Sequence, residues 1–262
     1  MKESCGLVGA ARLGDDLMAS KESIVFGVRA SLALATHRPK DIIRVLHDRR
    51  ALKAIGPLLR AAAKQRCPYR EVPADDLNRV AKSIHHEGVV VVARPKPTIP
   101  FGRWLQDCPA QPVMVALDRV TNPHNVGAIL RTLGWFGGSA LLVNDPSPTV
   151  NPAAMRVSQG GGELLPVIRT SDLAKAFGQL RRHGITTFAA DQRSTSPVTQ
   201  AALTGVCFAM GNEGEGLSNR VRDACDAAVS IPGVGAIESL NVSVAAGILL
   251  AFNHLGPAPE PT

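Results

Sequence analysis

Apolar residues recur along this chain with two different periods, and the changes of period mark the elements. In the first third, "FGVRASLALATHR" carries apolar positions at helical spacing and "DIIRVLH" reads as a strand. "LKAIGPLLRAAAKQR" reads as a helix tolerating Pro57, "ADDLNRVAKSI" as another helix and "GVVVVAR" as a buried strand. Together they predict a small α/β module over residues 21–94. The stretch "RPKPTIPFGRWLQDCPAQP" holds five prolines, which interrupt a helix or a central strand, so residues 95–111 read as an interdomain linker.

Beyond the linker the alternation is cleaner. "VMVALDRV", "SALLVN", "ITTFAAD", "VCFAMG" and "AAVSIP" are short apolar or β-branched runs suited to buried strands. Helical patterns begin near His124, Pro152, Ser171, Leu217 and Leu240, with Ser171 a natural N-cap and Gly184 a natural stop. Strands alternating with helices over residues 112–256 predict a mostly parallel sheet covered on both sides, whose ligands gather at the carboxyl ends of the strands. Residues 1–20 and 257–262 are left as tails.

Composition adds bounds. With 262 residues, 45% of them hydrophobic, the chain can build one large or two ordinary domains. No apolar run approaches the length of a membrane span, and "MKESCGLVGAARLGDDLMAS" has no apolar core of a signal peptide, so a cytoplasmic location and no membrane are expected. Cys5, Cys67, Cys108, Cys207 and Cys225 are odd in number and widely spaced; they predict buried reduced thiols, with neither a disulfide framework nor a metal site. Charge is more telling. Residues 1–94 carry 17 Lys and Arg against 10 Asp and Glu, and the remainder 12 against 12, so the whole net charge of +7 sits in the first third of the chain. A polyanion-binding module joined to a neutral one would show this asymmetry, as would a solvated basic surface without a partner.

Three loops are chemically unusual, each after a predicted strand and before a predicted helix: "TNPHNVGAILRTLGWFG", "GNEGEGLSNR" and "IPGVGAIESLN". Taken singly they are bland. Glycines such as Gly211, Gly214 and Gly216 serve tight turns, Ser239 or Asn241 can cap a helix, and Arg131 can be a surface arginine at a helix flank. The glycines form neither a dinucleotide fingerprint nor a P-loop.

In order and spacing, however, the three loops resemble the three motifs of the SpoU family of S-adenosylmethionine-dependent RNA ribose 2′-O-methyltransferases, over roughly residues 112–255. "VSQGGGELLPV" resembles the family's intervening segment, and "FGVRASLALA" with "HHEGVVVVARP" resembles its small substrate-binding domain. The resemblance implies a fold the pattern could not show: an α/β parallel-sheet domain of the SPOUT type tied in a trefoil knot, preceded by the small α/β domain. It also implies S-adenosylmethionine as cofactor, structured RNA (tRNA or rRNA) as substrate, and a homodimer with active sites completed near its interface. By position it assigns catalytic roles to Asn125, Arg131, Glu213, Ser239 and Asn241, and cofactor-lining roles to Gly211, Ile231 and Leu240. One departure is Gly233, where the family often has methionine.

The implied reaction asks a weakly acidic 2′-hydroxyl to attack a methyl on a sulfonium, so the enzyme aligns three atoms and handles one proton; the cofactor brings the electrophile and no metal is required. A guanidinium is a poor proton acceptor, which favours Arg131 as a clamp on phosphate and developing oxyanion over a role as base. On a helix Asn125 and Arg131 lie roughly 120° apart. Gly127, one turn before Arg131, would admit another segment, with Ser239 and Asn241 candidates to orient the guanidinium. His124 invites a base assignment that the resemblance does not carry, and His85 and His86 read as surface or packing residues of the first module. Two rivals remain: a non-catalytic RNA-binding paralogue, and a nucleotide-binding enzyme of ordinary doubly wound topology, for which "DRVTNPHNVG" is a poor phosphate loop.

Overall fold

The structure, a computed structural model, describes residues 22–198 and 205–255; the expected tails and Cys5 lie outside them. The first module is a four-stranded sheet flanked by helices. In chain order it comprises β1 (Ser23–Phe26), α1 (Val28–His37), β2 (Ile42–His47), α2 (Gly56–Lys64), β3 (Tyr69–Glu71), α3 (Ala74–Ala81) and β4 (Val89–Ala93). The strand order is β1-β4-β2-β3. The run Val89–Val92 is fully buried because both faces are covered: α1 and α2 bury Leu34 and Leu58 against Val89 and Val91, and α3 buries Leu77 against Val90. Strands β1 and β3 were not legible in the pattern; at four and three residues each is too short to show a period. Pro57 is not tolerated inside a helix but stands in the first turn of α2, where a missing N–H costs nothing.

The second module is a seven-stranded sheet, every pairing parallel. It begins earlier than the prolines suggest. Within residues 95–111, read as linker, lie β5 (Ile99–Pro100), which pairs with β8, and α4 (Phe101–Gln106), whose Phe101, Trp104 and Leu105 are buried. The prolines flank this helix rather than prevent it: Pro100 is its N-cap, and β5 is an edge strand that can spare an N–H.

The remaining elements are β6 (Val113–Asp118), α5 (Pro123–Trp135), β7 (Ala140–Val143), α6 (Pro152–Val157), α7 (Gly161–Leu164), β8 (Val167–Arg169), α8 (Leu173–Arg182), β9 (Thr186–Ala190), β10 (Val206–Gly211), α9 (Asn219–Ala224), β11 (Ala227–Val229) and α10 (Val242–Leu255). Their order in the sheet is β11-β9-β10-β6-β7-β8-β5. Alternate residues of β6, β7 and β10 face opposite ways. Val115, Leu117, Leu141 and Phe208 pack against α5 and α10, while Met114, Ala116, Leu142 and Cys207 pack against α4 and α8. The cap of α8 is Asp172, not Ser171, accepting from the Lys175 N–H at 3.2 Å. Gly184, at φ 74°, follows that helix in the left-handed conformation that ends it.

Cys207 is fully buried, whereas Cys67, Cys108 and Cys225 are half-buried; all four are free. Among the described residues no helix is long and apolar enough to cross a membrane, and no group of three His, Cys, Asp or Glu side chains could hold a metal ion.

Candidate active site

Strands β6 and β10 lie side by side in register, Asp118 opposite Gly211, so the loops leaving their carboxyl ends are neighbours. The first loop enters α5 through Asn122, whose side chain accepts the His124 N–H at 2.9 Å, with Pro123 starting the helix. This cap turns Asn125 inward, where it is buried. The Asn125 Nδ2 donates to a carboxylate oxygen of Glu213 in the second loop, and its Oδ1 accepts from Asn241 Nδ2 of the third at 3.1 Å. One buried amide therefore joins all three loops. Asn241 Oδ1 in turn accepts from the Ser243 N–H at 2.9 Å, which caps the start of α10.

Loops one and two are also latched through residues that motif spacing did not single out. Asp118 Oδ2 accepts the Ser218 N–H at 2.7 Å. Arg119, in the left-handed conformation at φ 60°, pairs with Glu215 and donates to the Gly216 carbonyl at 3.3 Å. Asn212 Nδ2 donates to the Arg119 carbonyl at 3.1 Å, while Asn212 and Gly216 exchange two backbone hydrogen bonds of 3.1 and 2.9 Å. The second loop thus folds back on Gly211. A Cβ there would lie 2.1 Å from the Gly216 carbonyl carbon, so what requires this glycine is the loop itself.

The other expected residues are placed differently. Arg131 is exposed on α5, and among the described residues its guanidinium makes no hydrogen bond or ion pair. Ser239 is exposed in the third loop and joins neither Asn125 nor Arg131. The segment admitted by Gly127 is α6 rather than loop three: a Cβ at Gly127 would lie 2.6 Å from the Ala154 carbonyl oxygen. Ile231 is half-buried against the core and Leu240 is 46% exposed, so Leu240 is not a core residue. His124 is exposed, and His86 is a packing residue, bonded to Asn78 Oδ1 at 3.0 Å and accepting the Gly88 N–H at 3.0 Å.

Residues 231–240 form no hydrogen bond among the described residues, and Val234 and Ile237 are exposed with Leu240. A loop of free backbone donors and acceptors, carrying exposed apolar side chains and tied to a glycine turn through Asn125, has the chemistry that an adenosine requires.

Comparison with known proteins agrees with this arrangement. The SpoU rRNA Methylase family matches residues 112–251, and the RNA 2′-O ribose methyltransferase substrate-binding family matches residues 24–98. The chain is 32% identical to the 23S rRNA (guanosine-2′-O-)-methyltransferase RlmB of Pseudomonas putida, over 86% of this chain and 93% of that one. It belongs to the SpoU methylase family. As a SpoU protein it is also 33% identical to RlmB of Haemophilus ducreyi, over 86% of this chain and 94% of that one. The SpoU methyltransferase AviRb from Streptomyces viridochromogenes, solved in complex with AdoMet, superposes with a TM-score of 0.73 at 26% identity, covering 90% of each chain. The SpoU fold, a parallel-sheet α/β domain preceded by a small α/β domain, is therefore the fold of this chain.

Proposed function

We propose that this SpoU protein methylates a ribose 2′-hydroxyl in ribosomal RNA with S-adenosylmethionine as donor. The reading is carried by one observation: three loops from distant parts of the chain converge on Asn125 at the carboxyl ends of β6 and β10. Substrate class follows the relatives named as 23S rRNA methyltransferases and the basic first module. S-adenosylmethionine fits the loops as described, with Gly211, Ile231 and Leu240 marking the segments that would line it. When bound, it supplies an electrophilic methyl group on sulfur.

The rest falls to the chain. Asn125, Glu213 and Asn241 hold the loops in one arrangement, so that nucleophile and methyl meet without a search. Arg131 presents an uncommitted guanidinium to solvent, which suits a clamp on the phosphate beside the target ribose and on negative charge growing at the 2′ oxygen. The proton released from the hydroxyl passes to water. Among the described residues the side chains of Arg131 and Ser239 make no hydrogen bond, which suits a site completed by a second copy of the chain. Trp135, Leu164, Val244 and Leu255 are exposed apolar residues on α5, α7 and α10 that such a homodimer would cover. The knotted path of the chain and a cytoplasmic location belong to the same reading.

The test is transfer of labelled methyl groups to separated tRNA and rRNA, with the modified position mapped by resistance of its linkage to alkali. Methylation of rRNA is expected; methylation of tRNA alone would overturn the substrate class. Arg131→Ala is expected to abolish transfer while calorimetry shows cofactor binding unchanged, and full activity in that variant would overturn the assignment.

A further inference from the structure

The deepest charged group of the described chain lies away from the loops, at the seam between the modules. Glu163 on α7 has a fully buried carboxylate, and Arg38 at the end of α1 grips both its oxygens, Nε to Oε2 at 2.7 Å and Nη2 to Oε1 at 3.0 Å. The remaining side of the guanidinium donates to Asp41 Oδ2 at 2.9 Å and to the Arg94 carbonyl at 3.1 Å, so its direction is set within the first module. Lys96 reaches across the same seam and donates to the carbonyls of Gly162, Glu163 and Leu165. These are the free carbonyls at the end of α7, where a helix favours a cation.

A buried ion pair contributes little net stability, because desolvation offsets most of its attraction, but a two-pronged guanidinium–carboxylate grip holds the two groups in one orientation. Here that orientation is passed to the candidate active site. Gly161, in the first turn of α7, packs so closely on α5 that a Cβ would lie 2.5 Å from the Leu130 carbonyl oxygen and 3.1 Å from Arg131 Cα. On the other side a Cβ at Gly160 would lie 3.0 Å from the Ala33 Cβ of α1. The path from the basic module to the backbone of Arg131 is thus α1, α7, α5, closed by the close approaches at Gly160 and Gly161 and by Arg38, Glu163 and Lys96.

We propose that Arg38, Glu163 and Lys96 form a docking lock that fixes the distance between the RNA-binding module and Arg131, so that the nucleotide methylated is selected by its reach from the RNA segment the module holds. The lock rests on the function proposed above. Glu163 is then a positioning residue, and its role is distinct from holding α7 folded.

Two readouts test it, in the full-length protein. Small-angle scattering of the wild type is expected to give one compact distance distribution, and the Arg38→Met/Glu163→Gln double variant, which removes both members of the ion pair together, a broadened one. Mapping of methylated positions on rRNA is expected to show one nucleotide for the wild type and spread to its neighbours for the variant, with KM for RNA raised at least tenfold and cofactor affinity within twofold. Lys96→Met is expected to give the same spread more weakly. Unchanged scattering and an unchanged single position in both variants would overturn the lock, as would a loss of cofactor affinity in step with activity, which marks a fold defect. If the wild type methylates no RNA, the proposed function fails by itself and scattering alone decides the lock.

Discussion

Asn125 and Gly211 show how much of the candidate site rests on single residues. An amide can donate on one side and accept on the other, and Asn125 uses both capacities at once, toward Glu213 and Asn241. Gly211 matters through an absence: the returning strand of its own loop occupies the place of a side chain. Gly211→Ala is therefore expected to force the second loop open and weaken S-adenosylmethionine binding at least tenfold, with a stability loss of about 1–3 kcal/mol. Calorimetry and urea unfolding would check the two effects. Asn125, Glu213 and Asn241 were singled out by the resemblance to the SpoU motifs, and the structure brings these three side chains together. Arg38 and Glu163 were not legible, since they sit 125 positions apart and no period connects them.

At the scale of elements, long apolar runs announced themselves and short ones did not. Strands β4, β6 and β10 are buried on both faces and read as continuous apolar stretches, whereas β5 has two residues and β8 three, within proline- and glycine-rich sequence that masks them. Partners also had to be known. Asp226, just before β11, accepts from Thr187 N–H at 2.8 Å and Thr187 Oγ at 2.7 Å, and from Arg181, tying β9 and α8 to the edge of the sheet. Burial works to raise its pKa, but the hydrogen bonds from Thr187 and Arg181 outweigh it and hold the carboxyl below its ordinary range. A depressed carboxyl pKa gives stability that is present above the unfolded-state value and lost as pH falls through the folded one. Asp226→Asn is expected to cost about 1–3 kcal/mol at pH 7, a gap that closes below about pH 4 in urea titrations.

The whole molecule joins a basic body to a nearly neutral one, a division visible in the charge count, but how the two meet was not. Lys96 reports on that meeting. Burial at the seam, opposed by the charge of Glu163, brings its pKa down from 10.5 to about 8. The unfolded chain holds this proton up to the higher value and the folded protein does not, so folded stability on its account rises between pH 8 and 10.5. The melting temperature of the wild type minus that of Lys96→Met is accordingly expected to grow from pH 7.5 to 9.5, measured by calorimetric scans. Trp135, at the end of α5, is 83% exposed. If the proposed homodimer forms through this face, Trp135→Glu is expected to give a monomer by light scattering and to abolish activity while preserving the fold.

The 125-residue separation of Arg38 from Glu163 also gives the chain a timetable. On a ribosome adding about 5–20 residues per second, Arg38 emerges roughly 6–25 s before its partner. Asp41 follows Arg38 almost at once and Arg94 roughly 3–11 s later, still ahead of Glu163, so both partners that shape the arginine fork come from its own module before α7 is made. The nascent basic module therefore awaits α7 with one hand already extended, and the order of synthesis coincides with the order in which the seam can be closed.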